Sequence, residues 1–313
     1  MQGLNYQVVA FYKYVHIIDA EVFAVKHLRY CYKHEVKCRI YISDEGINGQ
    51  FSGTKETCSQ YIADLTADER FADILFKIDD VAQPAFNKTH VRYKREIVHS
   101  QLTVNPIDKT GIHLSGQDFL EMKDRDDVVL LDVRSEYEHR IGRFKDALTL
   151  PIDNFRELPE HIDYLSQYKG KKVITYCTGG IKCEKASAYL LSQGFEEVYQ
   201  LHGGIIQYAK ETGGKDFEGD LYVFDGRVVI PVNEVNPTVI SYCIHCHSES
   251  TRMVNCSNEI CNKKVIMCDS CGWDWDGACA TDCKSASLRE YTGTGYYAKP
   301  GTTRFYSVEE NIE

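Results

Sequence analysis

The sequence predicts an α/β chain in three parts. These are an α+β sheet domain over residues 1–100, a doubly wound parallel-sheet domain over 113–212, and a C-terminal segment, 213–313, holding a small cysteine-rich module at 243–283. Three observations carry this. Strand and helix patterns alternate over the first hundred residues, and short β-branched runs alternate with helical periods from 113 to 212. Beyond 213 regular patterning fades, and eight of the chain's 13 cysteines crowd between Cys243 and Cys283. At 313 residues and 43% hydrophobic, the chain is long enough for two or three cores. With 26% charged residues it reads as folded rather than disordered.

Taken in order, "YQVVAFYKYVHI" is apolar and β-rich, and "DAEVFAVKHLRYCYKHE" reads as a helix with Asp19 as its N-cap. "KCRIYISDEGINGQFSG" reads as two strands around a turn, with Asn48-Gly49 supplying the positive φ angles. "TKETCSQYIADLTAD" is a second helix and "DILFKIDD" a further strand. The order βαββαβ is the split βαβ, or ferredoxin-like, arrangement. In the second part, "GQDFLEMKD" and "EKASAYLLSQG" are helical, "DVVLLDV", "KKVITYC" and "EEVYQL" are strands, and "GGIIQYAKE" a last helix. Such buried strands imply a parallel sheet covered on both faces, whose ligands sit at the carboxyl ends of the strands. "FEGDLYVFDGRVVIPV" reads as a small hairpin around Asp225-Gly226, and the final tail has little core-forming power.

Net charge is −10. An acidic chain has no general attraction to nucleic acid, so RNA would be held by local basic patches, and DNA is not expected as a partner. The N-terminus lacks a basic-then-apolar leader, and no run of 18 apolar residues occurs, so a cytoplasmic protein without membrane contact is expected. In a reducing compartment, metal ligation or thiol chemistry outranks disulfides as the use for these cysteines.

"YCTGGIKCEK", residues 176–185, ends a strand with Cys177 and enters a helix through Thr178, Gly179, Gly180, Ile181 and Lys182. Paired glycines permit a tight ring of inward N–H groups, and the helix start adds partial positive charge. Both favour a thiolate, so Cys177 is the candidate nucleophile rather than an ordinary buried strand-end cysteine. A cysteine phosphatase loop places arginine six positions after the cysteine, where it forks onto phosphate; here that position is Cys183. Cys183 is either a resolving thiol or, the preferred reading, a small apolar residue packed under the helix. Lys182 and Lys185 either meet a nucleic-acid phosphate near the loop or are solvated helix-start lysines. Asp132 and Arg134 read as a structural ion pair.

"LLDVR" (130–134), "EYEHRIGRFKDALTLPI" (136–152), "YCTGGIKCEKA" and "LHGGI" (201–205) together resemble the motifs of a rhodanese domain. With "EGING" (45–49) in an acylphosphatase-like N-terminal domain, "FEGDLYVFD" and a cysteine-rich tail, the whole chain resembles the bacterial tRNA uridine hydroxylase family. That resemblance implies an oxidoreductase of monooxygenase type. It would convert the wobble uridine, position 34, in the anticodon region of certain tRNAs to 5-hydroxyuridine, with O2 as co-substrate and Cys177 as essential residue. It also implies that "EGING" lies near the substrate. The family usually carries arginine where this chain has Lys182, replacing a planar fork by a point charge. The residues do not name the reductant, the tRNAs or the oligomeric state. A rhodanese-type sulfurtransferase carrying a persulfide on Cys177 is the alternative, and a non-enzymatic RNA-binding scaffold a third reading.

The spacings Cys243-x2-Cys246, Cys256-x4-Cys261, Cys268-x2-Cys271 and Cys279-x3-Cys283 suit up to two structural four-cysteine zinc sites, with ligand pairing open. His245 or His247 can replace a sulfur. Trp273 and Trp275 read as the module's core, though they can also stack on bases. The better tRNA-contacting candidates are Lys88, Arg92, Lys94 and Arg95, interleaved with His90 and Tyr93; a solvated strand face is the other reading.

Overall fold

A computed structural model describes residues 4–291 and 297–298. The chain divides into two compact units: residues up to Arg134 with Asn154–Glu211, and Ser135–Asp153 with the chain from Thr212 on. Most of the final tail lies outside the described residues. No helix among the described residues is long and apolar enough to cross a membrane.

The first unit opens with β1 (Tyr6–Tyr14), α1 (Ala20–Lys33), β2 (Lys37–Ser43), β3 (Gly46–Thr54), α2 (Lys55–Thr66) and β4 (Lys77–Val81), the predicted βαββαβ order. The sheet runs β4-β1-β3-β2 and is extended by β5 (Thr89–Tyr93), parallel to β2 at the edge. One face is apolar. Val9, Phe11, Ile40, Ile47, Phe51 and Val91 are buried in a core with Ala24, Cys31, Cys58, Tyr61 and Leu65 from the two helices. Burying each large apolar side chain contributes roughly 1.5–3 kcal/mol, which holds the helices to that face.

Two local expectations change. Asp19 does precede α1, but its side chain makes no capping hydrogen bond and pairs instead with Arg70 at 3.3 Å. Asn48-Gly49 does not form the turn. Both lie inside β3, and the positive φ belongs to Gly46, at 145°. Gly49 is needed for close approach: a Cβ there would meet the Phe11 ring and the Ile40 side chain at 2.7–2.9 Å.

The parallel sheet follows. β6 (Ile112–Leu114), α3 (Gly116–Met122) and β7 (Val128–Asp132) precede an excursion through α4 (Glu136–Ile141), β8 (Gly142–Phe144) and β9 (Leu148–Thr149). The chain returns with α5 (Ile162–Leu165), β10 (Lys172–Tyr176), α6 (Ile181–Ser192), β11 (Val198–Leu201) and α7 (Gly204–Thr212). Strands β6-β11-β10-β7 lie side by side and parallel. Ser115 starts α3 with a capping box shared with Asp118. Asp132 and Arg134 form the expected ion pair at 2.7 Å, both fully buried.

The second unit gathers the excursion and the C-terminal segment. β12 (Phe217–Gly219) pairs antiparallel with β8, with Phe144 and Phe217 edge to face at 5.3 Å. β13 (Leu221–Tyr222) and β14 (Val229–Ile230) form the expected hairpin, tied by Arg227 to Asp225 at 2.7 Å. β15 (Met253–Asn255) pairs with β16 (Lys264–Ile266), and α8 (Asp269–Asp274) and α9 (Thr281–Lys284) complete the module. Its core is small: Val254, Val265 and Met267 beside buried cysteines, with Trp275 against them. So small a core needs further cross-links to be stable.

Candidate functional site

Cys177 lies at the carboxyl end of β10, in the centre of the parallel sheet, and is 1% exposed. Its Sγ accepts a hydrogen bond from the Gly180 N–H at 3.1 Å. Burial alone would push the thiol up. The hydrogen bond from the Cys183 thiol, the charge of Lys182 and the N–H groups of Cys183 and Gly180 outweigh it and bring Cys177 down to about 6. Cys183, on the first turn of α6, moves the other way: burial and the neighbouring Cys177 hold it protonated. One thiolate therefore sits beside one thiol, and Cys183 is a hydrogen-bond donor to Cys177 as well as a packed side chain.

The loop is fixed from behind by the start of α7. The Ile205 and Ile206 N–H groups donate to the carbonyls of Cys177 and Thr178 at 3.0 and 3.1 Å. Gly204, at φ +69°, lets the backbones meet. A Cβ on it would stand 2.6 Å from the Cys177 carbonyl oxygen and the Gly180 nitrogen.

In front, the loop is closed by the N-terminal sheet. Tyr12 on β1 reaches to 2.9 Å from where a Cβ on Gly180 would lie, and donates to Glu184 at 3.0 Å. Tyr14 donates to the Ile181 carbonyl at 3.4 Å. Glu184 is buried, yet it stays ionised. Desolvation raises it, but His113 at 2.9 Å, Thr110 at 3.0 Å and Gln200 at 3.0 Å outweigh that. Lys77, the first residue of β4, is 3% exposed with its Nζ 5.0 Å from the Tyr12 ring centroid. Burial lowers its ammonium to about 8, while Cys177 and Glu184 pull it back up, so this cation shares the field of the thiolate. Lys77, Tyr12, Glu184 and His113 were not singled out in the sequence. Only a lysine inside the apolar run "ILFKID" hinted at a buried charge.

The other sequence candidates separate. Lys185 is 1% exposed and clamped between Glu45 at 2.9 Å and Glu96 at 2.7 Å, so it joins the "EGING" turn to α6 and is withdrawn as a phosphate contact. Lys182 is half-buried. Lys88, Arg92, Lys94 and Arg95 are exposed, but the interleaving reading does not hold for Tyr93. That ring packs against the helix-side core and its hydroxyl meets Asp44 at 3.3 Å.

In the second unit the eight cysteines converge as two sets, Cys243, Cys246, Cys268 and Cys271, then Cys256, Cys261, Cys279 and Cys283, with the sulfurs of each set within 4.8 Å of one another. The first pair therefore joins the third and the second joins the fourth. Cys246–Cys268, Cys261–Cys279 and Cys279–Cys283 stand 3.6–3.7 Å apart. A tetrahedron with metal–sulfur bonds of about 2.3 Å has edges of about 3.8 Å, so both sets fit a four-coordinate ion such as zinc. His245 is not a ligand: it stacks on Trp275 at 3.9 Å and its Nε2 meets the Ala278 carbonyl at 3.0 Å. His247 lies in neither set. Trp275 joins the core, whereas Trp273 is 60% exposed, because Cys271 and Gly272 take the inward face of α8.

Comparison with known proteins agrees with this layout. Residues 6–97 match the UPF0176 acylphosphatase like domain, 115–211 the rhodanese-like domain and 218–284 the rhodanase C-terminal domain. The tRNA uridine(34) hydroxylase of Cytophaga hutchinsonii is 54% identical over 297 residues, covering 94% of this chain and 95% of that one. Those of Staphylococcus epidermidis and Staphylococcus aureus are 43% and 44% identical over 293 residues, with 92% of each chain covered. The chain belongs to the tRNA uridine(34) hydroxylase family.

Proposed function

We propose that this chain hydroxylates C5 of the wobble uridine of tRNA in the cytoplasm, with O2 as oxygen source and Cys177 as catalytic residue. The observation that carries the reading is a buried thiolate with Lys77 and Tyr12 of the N-terminal sheet closed over it. A phosphatase is disfavoured because Cys183 stands where a phosphate-clamping arginine would be needed.

The chemistry asks for electron density at C5 of uracil. Addition of the Cys177 thiolate to C6 supplies it, as an enolate spread over C5 and O4. The Lys77 ammonium, which shares the field of the Cys177 thiolate, is the cation available to that charge. C5 then takes one oxygen atom from O2. The other oxygen leaves as water with two electrons and two protons from an external two-electron donor. Loss of the C5 proton and expulsion of the thiolate restore the double bond. The two cysteine sets would hold zinc as structural sites, since four thiolates would leave no position open for a substrate.

Nucleoside mass spectrometry of tRNA tests the reading. Cells lacking the chain should lose the one-oxygen gain on uridine 34, wild-type protein should restore it only in air, and Cys177→Ser should not restore it. Full modification by Cys177→Ser would sink the cysteine scheme.

A further inference from the structure

The face of the N-terminal sheet turned away from its helices is not apolar, and strand register orders it into rows. Tyr12 stands opposite Asn48, Asn48 opposite Tyr41, and Tyr41 opposite Arg92. In the next row Lys77 stands opposite Ala10, Ala10 opposite Gln50, Gln50 opposite Arg39, and Arg39 opposite His90. Strand alternation sends the intervening Phe11, Ile40 and Val91 into the core and leaves these residues on the other side. The rows begin at Tyr12 and Lys77, over the Cys177 loop, and end at the β2–β5 edge. Three strand spacings of about 4.8 Å put that edge about 14 Å from Tyr12.

That edge is a knot of cations in an acidic protein. Arg39, Arg92 and Lys94 are exposed and, among the described residues, none has an acidic partner. They crowd one another: His90 is held below its usual range by burial and then by Arg92, Arg39 and Lys94. The half-exposed Tyr41 ring lies in their midst, with His90 edge-on at 6.1 Å and the Lys94 Nζ 5.9 Å from its centroid. Between this edge and the thiolate lie two neutral amides. Asn48 is anchored to the Ile97 carbonyl at 2.9 Å, and the Gln50 side chain has no hydrogen-bond partner among the described residues.

We propose that this sheet face is the platform on which the single-stranded anticodon loop lies, running from uridine 34 at Cys177 to a base stacked on Tyr41 and phosphates held by Arg39, Arg92 and Lys94. The proposal rests on the tRNA reading of the active site. Net charge −10 repels a polyanion at long range, so contact must come from such a local patch. A flat sheet offers no ridge for a duplex groove, whereas exposed aromatic rings on a sheet stack unpaired bases. Gln50 is placed to read the edge of a base beside the target.

The test uses the full chain, wild type and Arg39→Ala/Arg92→Ala, Tyr41→Ala and Gln50→Ala. Circular dichroism and thermal melting confirm the fold, which these surface changes leave in place. The probes are an anticodon stem-loop RNA and a matching duplex without the loop. The double variant should bind the stem-loop roughly tenfold or more weakly, with the slope of log affinity against log salt reduced by about two. Tyr41→Ala should lose roughly tenfold with little change in that slope, and Gln50→Ala a few-fold. The losses should fall in Kd and KM rather than in kcat. A 4-thiouridine next to position 34 should photocrosslink to β2 or β5 peptides.

Affinities and slopes equal to wild type, or crosslinks confined to residues 243–283, would overturn the platform while leaving hydroxylation standing. An equal loss of duplex binding would reassign the patch to stem phosphates and overturn the single-strand claim. A wild-type protein that neither binds nor hydroxylates tRNA would instead overturn the functional reading itself.

Discussion

Cys177 and Lys77 come from different domains and titrate on opposite sides of neutrality, at about 6 and about 8. A nucleophilic thiolate needs Cys177 deprotonated, so activity should rise as pH passes through about 6. A stabilising ammonium needs Lys77 protonated, so it should fall as pH passes through about 8. The expected kcat/KM profile is a narrow bell. Lys77→Met should remove the alkaline limb, shift the acid limb upward by depriving the thiolate of a nearby cation, and lower the maximum roughly 10- to 100-fold. The ultraviolet thiolate band, taken as wild type minus Cys177→Ala, locates the acid limb without turnover. A band midpoint unmoved by Lys77→Met would separate the two groups. Gly204→Ala is the matching steric test. At φ +69° and 2.6 Å from the Cys177 carbonyl oxygen, the added methyl should displace the loop, costing a few kcal/mol in urea unfolding and most of the activity.

At the scale of elements, the "EGING" segment is explained by packing rather than by a turn of its own. Glu45 and Glu96 both bind Lys185, fixing the β2–β3 turn and the segment after β5 to α6 beside the Cys177 loop. Lys185→Met should leave two carboxylates facing an apolar stub and cost about 2–4 kcal/mol in urea unfolding, the carboxylates being only partly buried. Burial alone would raise Glu96, but Lys185, Ser100 and the Gln101 N–H hold it at about 2 against an ordinary 4.5. The stability it contributes is therefore complete above about pH 4.5 and lost as pH falls toward 2; Glu96→Gln should flatten that part of the curve. The cysteine module should fail differently. Its core of Val254, Val265 and Met267 is too small to fold alone, so a strong chelator should release up to two ions per chain and abolish the near-ultraviolet dichroism of Trp275 stacked on His245. Metal analysis beside dichroism checks it, and Cys256→Ser should lose one site's metal only.

At the scale of the molecule, the buried Glu184 joins two sheets. It accepts from Tyr12 of the N-terminal sheet and from Thr110, His113 and Gln200 around the parallel sheet. Glu184→Ala would strand these donors, so amide exchange should accelerate together in β1 and β10; acceleration in one alone would mean the sheets open independently. The sequence by itself determined what depends on neighbours along the chain. Strand and helix periods gave the βαββαβ order and the parallel strands, glycines and a helix start made Cys177 a thiolate candidate, and close cysteine pairs marked metal knuckles. Tertiary structure alone decided what depends on register and on contacts between distant residues. It joined the first cysteine pair to the third and the second to the fourth, took Lys185 out of solvent, and moved Asn48-Gly49 from a turn into a strand. It also brought Lys77 and Tyr12 over a cysteine a hundred or more residues away. A side chain's type and local period fix which face of its own element it occupies, whereas its partner across a sheet or domain is set by packing that no local pattern encodes.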